Sequence, residues 1–159
     1  MENNQKFATH IEVRNELMKM QQCGGAMINP FALHRIIFEY AFSDEERQKN
    51  NSITIARVIA TTFCALCNEY FVIYRNDRHP KTDFYMSDDR WEKYYIVPSH
   101  RNMATEFLQR IGLISCDTKT IPSENEPVTT YKINLETLRL YSRAAEELHE
   151  QEKAKRKSW

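Results

Sequence analysis

The stretch SDDRWEKYYIVPSHRNMATEFLQRIGLI, residues 87–114, reads as two short helices set end to end. Ser87 stands where an N-cap belongs, and Asp88 and Asp89 follow in a first turn, where the helix dipole favours acid. This predicts a helix over 88–95 that buries Trp91 and one of Tyr94 and Tyr95. Ile96, Val97 and Pro98 form a turn. Ser99 reads as the next cap, and Met103, Ala104, Phe107, Leu108 and Ile111 recur at helical spacing, which predicts a second helix over 99–111. Two short helices joined by a tight turn make a helix-turn-helix pattern.

The flanks extend the pattern. Gly112 ends the second helix, 113–117 reads as a strand, 119–127 as a loop with Pro122 and Pro127, and 128–134 as an alternating, β-branched strand. Phe84, Tyr85 and Met86 precede the helix pair as a strand-like run. Strand, helix, turn, helix and hairpin is the order of a winged helix. Upstream, Ile55, Val58, Ile59, Thr62, Phe63, Leu66, Cys67 and Tyr70 predict a buried helix over 53–73, although 71–74 would suit a strand equally. Residues 43–52 read as a polar connection. Asn29-Pro30 opens a helix with Leu33, Ile36, Ile37 and Tyr40 on one stripe. A further helix spans 9–22 and ends at Gly24-Gly25, and 135–151 returns to helix before a fraying basic end. The predicted fold is mainly α with a small β-hairpin wing: an N-terminal helix at 1–29, a winged helix-turn-helix domain at 30–140, and a charged C-terminal helix and tail at 141–159.

Composition narrows the function. Apolar residues make up 42% of the 159, enough for one domain with a real core. Twenty-two basic residues balance 22 acidic ones, so a protein that coats nucleic acid through bulk positive charge is excluded, and binding must come from a local patch. Three glycines cannot build a phosphate-cradling nucleotide loop. The polar start, the absence of a run near the roughly 20 apolar residues of a membrane span, and four cysteines predict a cytoplasmic protein with free thiols, away from membranes. Cys64 and Cys67 form a CxxC in mid-helix, with Cys67 on the apolar stripe. A redox pair needs its first thiol at a helix N-terminus and zinc needs two more ligands, so core packing is the favoured reading. No catalytic constellation, metal site or cofactor site is expected.

A family resemblance rests on Phe84-Tyr85-Met86-Ser87 with Trp91, Val97-Pro98-Ser99, Leu108, Arg110-Ile111-Gly112-Leu113-Ile114, Pro122, and Tyr131-Lys132-Ile133-Asn134 with Leu138. Over about residues 30–140 the chain resembles winged-helix proteins of phages, plasmids and integrated elements of Gram-positive bacteria, described as replication initiators, replisome organisers or helix-turn-helix regulators. That group commonly has Gly before a Leu-Ser pair in the turn, where this chain has Ile96-Val97-Pro98-Ser99. The resemblance implies a mobile-element protein that binds double-stranded DNA sequence-specifically, in replication initiation or transcriptional control, and the residues themselves show no catalytic set, so no enzyme is expected.

In a helix-turn-helix the second helix enters the major groove. Its outward positions here are His100, Arg101, Asn102, Thr105, Gln109 and Arg110, with Ser99 at the start for a phosphate. Arg pairs with guanine, and Asn or Gln with adenine. Glu106 is the opposing acid. Lys119 and Lys132 reach for phosphates from the wing, while Glu124 and Glu126 make its tip acidic. Arg75, Arg78, His79 and Lys81 offer a second basic cluster. The same polar face also suits solvent or a protein partner, which leaves a replisome-assembly adaptor as the alternative. Apolar residues on the terminal helices (Leu17, Met18 and Met20; Leu138, Leu140, Tyr141, Ala144 and Leu148) predict a homodimer, unless they pack on their own domain.

Overall fold

The computed structural model of the chain describes residues 11–16, 30–75 and 81–157. A helical stretch at 11–16 (α1) seats Val13 in the core. The rest of the predicted N-terminal helix, with Leu17, Met18, Met20, Cys23 and the Gly24-Gly25 stop, lies outside the described residues. Helix α2 (Pro30–Ile36) starts on proline, whose fixed φ suits a first helical position. Leu33, Ile36 and Ile37 are buried as the stripe requires, but Tyr40 is 54% exposed. A π turn at Ile37–Ala41 is the cause. The Phe42 N–H donates to the Ile37 carbonyl at 3.0 Å, and the wider turn shifts the register. Phe42 takes the buried place, and Tyr40 meets the Tyr141 ring edge-on at 6.4 Å.

The segment read as a polar connection contains a helical turn, α3 (Asp44–Arg47), closed by a capping box. The Ser43 hydroxyl accepts from the Glu46 N–H at 3.2 Å, and the Glu46 carboxylate accepts from the Ser43 N–H at 3.1 Å. Helix α4 (Ser52–Tyr74) follows and includes residues 71–74, which resolves the strand alternative toward helix. Contrary to the expectation from composition, α4 is long and apolar enough to cross a membrane. It is instead the core helix: 61% of its most apolar window is buried inside the fold. Cys64 and Cys67 both lie in that core, and burial pushes the Cys64 thiol up to about 12 and the Cys67 thiol well above its ordinary value.

Strand β1 (Asp83–Tyr85), helix α5 (Asp88–Lys93), helix α6 (Pro98–Arg110), strands β2 (Ile114–Lys119) and β3 (Val128–Ile133), and helix α7 (Leu135–Lys157) complete the described chain. Helix α4 packs mainly against α2 and α6. The strands form an antiparallel sheet in the order β1-β3-β2, with Phe84 and Cys116 both opposite Tyr131 and Ile114 opposite Ile133. A run of rings ties helix to sheet to helix. Tyr74 meets Tyr70 at 5.2 Å, Tyr70 stacks on Phe84 at 5.4 Å, Phe84 meets Tyr131 at 6.0 Å, and Tyr131 meets Trp91 edge-on at 5.8 Å.

Three local readings need correction. Ser87 caps α5, its hydroxyl accepting from the Arg90 N–H at 3.3 Å, but the helix stops at Lys93, and Tyr95 turns left-handed (φ 56°) into solvent while Tyr94 stays half-buried. Ser99 does not cap α6. Pro98 takes the first helical position, which moves the cap back to Val97, a residue with no side chain able to accept a bond. Helix α7 does not fray at 151 but runs through Lys157. Gly112 does end α6, with φ 80° and its N–H on the Gln109 carbonyl at 3.0 Å, as the left-handed stop requires. On α7, Leu138 and Ala144 are buried and Tyr141 and Leu148 half-buried in their own domain, whereas Leu140 is 61% exposed.

Candidate nucleic-acid interface

Helix α6 carries the polar face on which the sequence reading centred. Ala104, Phe107 and Leu108 bury its inner side. Ser99, Asn102, Glu106 and Gln109, spaced by three and four residues, form one exposed stripe outside, with His100 exposed beside its first turn. Glu106 therefore stands within the stripe rather than at its margin. Thr105 is half-buried and turned back on its own helix, its hydroxyl donating to the Arg101 carbonyl at 2.9 Å.

The two arginines of α6 are each held by a ring and an acid. Arg101 does not point outward as expected. Its side chain is 19% exposed, lies 5.4 Å over the Trp91 ring, and reaches the Asp88 carboxylate at 3.2 Å. The side chain leans back across the helix pair because α5 offers a flat aromatic face and an exposed carboxylate one turn away. Arg110 lies 4.8 Å over the Phe107 ring and bonds Glu46 on α3 at 2.8 Å, yet stays 61% exposed. Partial burial raises the Glu46 carboxyl, but hydrogen bonds from Ser43 and Arg110 outweigh it and hold the group below its ordinary value.

The sheet supplies the other two cations. Lys119 pairs with Asp83, while Lys132 is exposed and sits directly across from Asp83 and Ser115 in the ladder. These residues and Asp117 line a hollow of about 250 Å³. At the loop tip, the Tyr85 hydroxyl donates to Glu124 at 3.2 Å and folds that acid back toward β1, whereas Glu126 is exposed. Of the second basic cluster, Arg75 and Lys81 are exposed, and Arg78 and His79 lie outside the described residues.

The Lys119 hydrogen bond, followed by its charge, holds the Asp83 carboxyl below the usual carboxylate range. Its folded value is then below the unfolded one of about 3.9. The pair's contribution is whole above that pH and fades as pH falls through the lower, folded value. The thermal midpoint of Asp83→Asn should lie below that of the parent above the carboxylate range and converge with it as pH falls through the lowered, folded value. An undiminished gap at the acid end would mean that Asp83 acts through packing and not through its charge.

Sequence reasoning missed a buried ionic group. Glu69 on α4 is 3% exposed; it accepts from Arg90 Nε at 2.9 Å, Arg90 Nη2 at 2.8 Å and the Tyr94 hydroxyl at 2.9 Å. This fork locks α5 to α4 and so fixes the platform against which α6 rests. It also missed a cleft of about 480 Å³ beside α6, floored by Phe42, Ile55 and Met103 and edged by Glu106 and Arg110. Among the described residues, no three His, Cys, Asp or Glu side chains gather as metal ligands.

The arrangement can offer amides at Asn102 and Gln109 for base edges, and Ser99 and His100 at the α6 N-terminus for phosphate. Comparison with known proteins finds no matching family model, no matching curated protein and no matching solved structure.

Proposed function

We propose that the chain is a winged-helix protein that binds double-stranded DNA through α6, with the β2–β3 hairpin as its wing, in replication initiation or transcriptional control of a mobile element. The observation that carries this reading is the pairing of β1 with β3 around the α5–α6 pair, which sets α6 with its polar stripe outward beside the hairpin. Asn102 is the chief base reader, with Gln109 further along the groove and Ser99 and His100 at the backbone. Lys132 and Lys119 meet phosphates. Arg101 positions α6 on Trp91 instead of reading bases, and Arg110 is released to the duplex only by giving up Glu46. Two copies on a two-fold site would join two weak contacts into a strong one. Leu140 is the exposed apolar residue that α7 contributes to such pairing.

The test is selection of duplexes from a random pool, followed by titration of variants at low and high salt. Asn102→Ala should lose about 1–3 kcal/mol on the selected duplex and little on a random one. Lys132→Ala should weaken both alike and lower the salt slope by about one ion. Failure of the parent protein to enrich any duplex at low salt would reject DNA binding.

The second reading, a protein-binding adaptor, draws support from Glu106 within the exposed stripe and from the apolar cleft beside it. An unselective pool together with capture of a purified replication protein by the α6 face would favour it.

A further inference from the structure

The joint between α5 and α6 contains a conformation that sequence chemistry disfavours. Tyr95 has φ 56°, in the left-handed region, where a side chain with Cβ crowds the following carbonyl. Glycine or asparagine is the usual occupant of such a position. Here it is a tyrosine, 94% exposed, so no burial of the ring offsets the backbone cost. Its N–H closes the end of α5 on the Glu92 carbonyl at 2.9 Å, and among the described residues its hydroxyl has no hydrogen-bond partner. Ile96 beside it is buried and pins the turn, while Val97 next in line is 48% exposed. The fold thus fixes the backbone of the turn and presents a large amphipathic ring to solvent, immediately before the first turn of α6. Strain kept where nothing in the fold uses the side chain points to a use outside the fold.

We infer that Tyr95 is a DNA-backbone contact. Its ring lies along a deoxyribose and its hydroxyl donates to a phosphate oxygen at the edge of the groove that α6 enters. The inference rests on the DNA-binding reading and adds a residue to it. In helix-turn-helix docking the first helix crosses the backbone and the second lies in the groove, so the turn joining them sits beside the strand. Tyrosine hydroxyls are among the side-chain donors to phosphate, and such contacts set register without reading sequence. Ser99 and His100, both exposed just beyond the turn, continue the same line of donors.

The experiment uses the full chain with three probes: a pool-selected duplex, a random duplex and thermal unfolding. Tyr95→Gly should raise the thermal midpoint by a few degrees as the strain is relieved, yet weaken binding to both duplexes by about tenfold. Tyr95→Phe keeps the ring and the strain; it should leave the midpoint unchanged and lose part of that affinity on both. Equal affinity of Tyr95→Gly and the parent overturns the assignment. So does a loss confined to the selected duplex, since that would be base reading, and so does a lowered midpoint in Tyr95→Gly, since the turn would then not be strained. If the parent binds neither duplex, the DNA-binding reading itself fails, a result distinct from all of these.

Discussion

Trp91→Ala lowers the free energy of unfolding by about 3–5 kcal/mol, the usual cost of emptying the site of a buried tryptophan. The indole is 2% exposed and sits where three elements meet: it belongs to α5, packs edge-on against Tyr131 of β3 at 5.8 Å, and carries the Arg101 guanidinium of α6 on its face. Truncation therefore leaves a cavity and also removes the surface that orients α6. For a domain with total stability of about 5–15 kcal/mol this is a large fraction. Urea unfolding followed by circular dichroism measures it. Trp91→Phe, which keeps a ring under Arg101, should lose less than half as much. An unchanged midpoint in Trp91→Ala would mean that the indole is not a core anchor at all.

Arg90→Ala costs about 3 kcal/mol, for a different reason. It leaves the Glu69 carboxylate, 3% exposed, without the fork that neutralises it, and breaking one side of a buried pair is far more costly than replacing both. The figure belongs at the lower end of the range because the Arg90 side chain is itself 37% exposed and partly screened. The Tyr94 hydroxyl cannot substitute. Burial, and then its bond to Glu69, push its pKa well above the ordinary value, so it stays a neutral donor. A double-mutant cycle gives the sign. Adding Glu69→Gln to Arg90→Ala should recover part of the loss, because the buried group is then uncharged. If the second change makes matters worse by its full single-mutant cost, the carboxylate is being stabilised by something other than Arg90.

These two anchors were unequally visible in the sequence, and the difference is physical. Trp91 could be placed because Ser87, Asp88 and Asp89 fix the start of α5, and the helical repeat then assigns the core side within one turn. The same local logic found α4, both hairpin strands and the Gly112 stop. It failed where a local backbone feature outweighed periodicity. Pro98 moved the start of α6 ahead of Ser99, and the π turn at Ile37–Ala41 displaced Tyr40 from a stripe that 3.6-residue spacing had drawn correctly up to Ile37. The capping box at Ser43 and Glu46 was legible as Ser-x-x-Glu, but a single polar turn has no apolar face for a periodicity reading to register. The site was less legible than the scaffold. Which residues lie on α6 follows from spacing, but where Arg101 and Arg110 point is decided by Asp88 and Glu46, acids on other elements that no pattern within α6 announces.

Because β1 pairs with β3, the short strand at Asp83–Tyr85 has its partner on the far side of α5, α6 and β2. A chain emerging from the ribosome N-terminus first therefore exposes Phe84 and Trp91 well before Tyr131 is synthesised to cover them. Until residues 128–133 are out, the sheet lacks its central strand, and the helix pair is held to α4 by the packing of α6 and by Glu69 with Arg90. Translation stalled within the loop before Val128 would leave a nascent chain without the strand that joins β1 to β2.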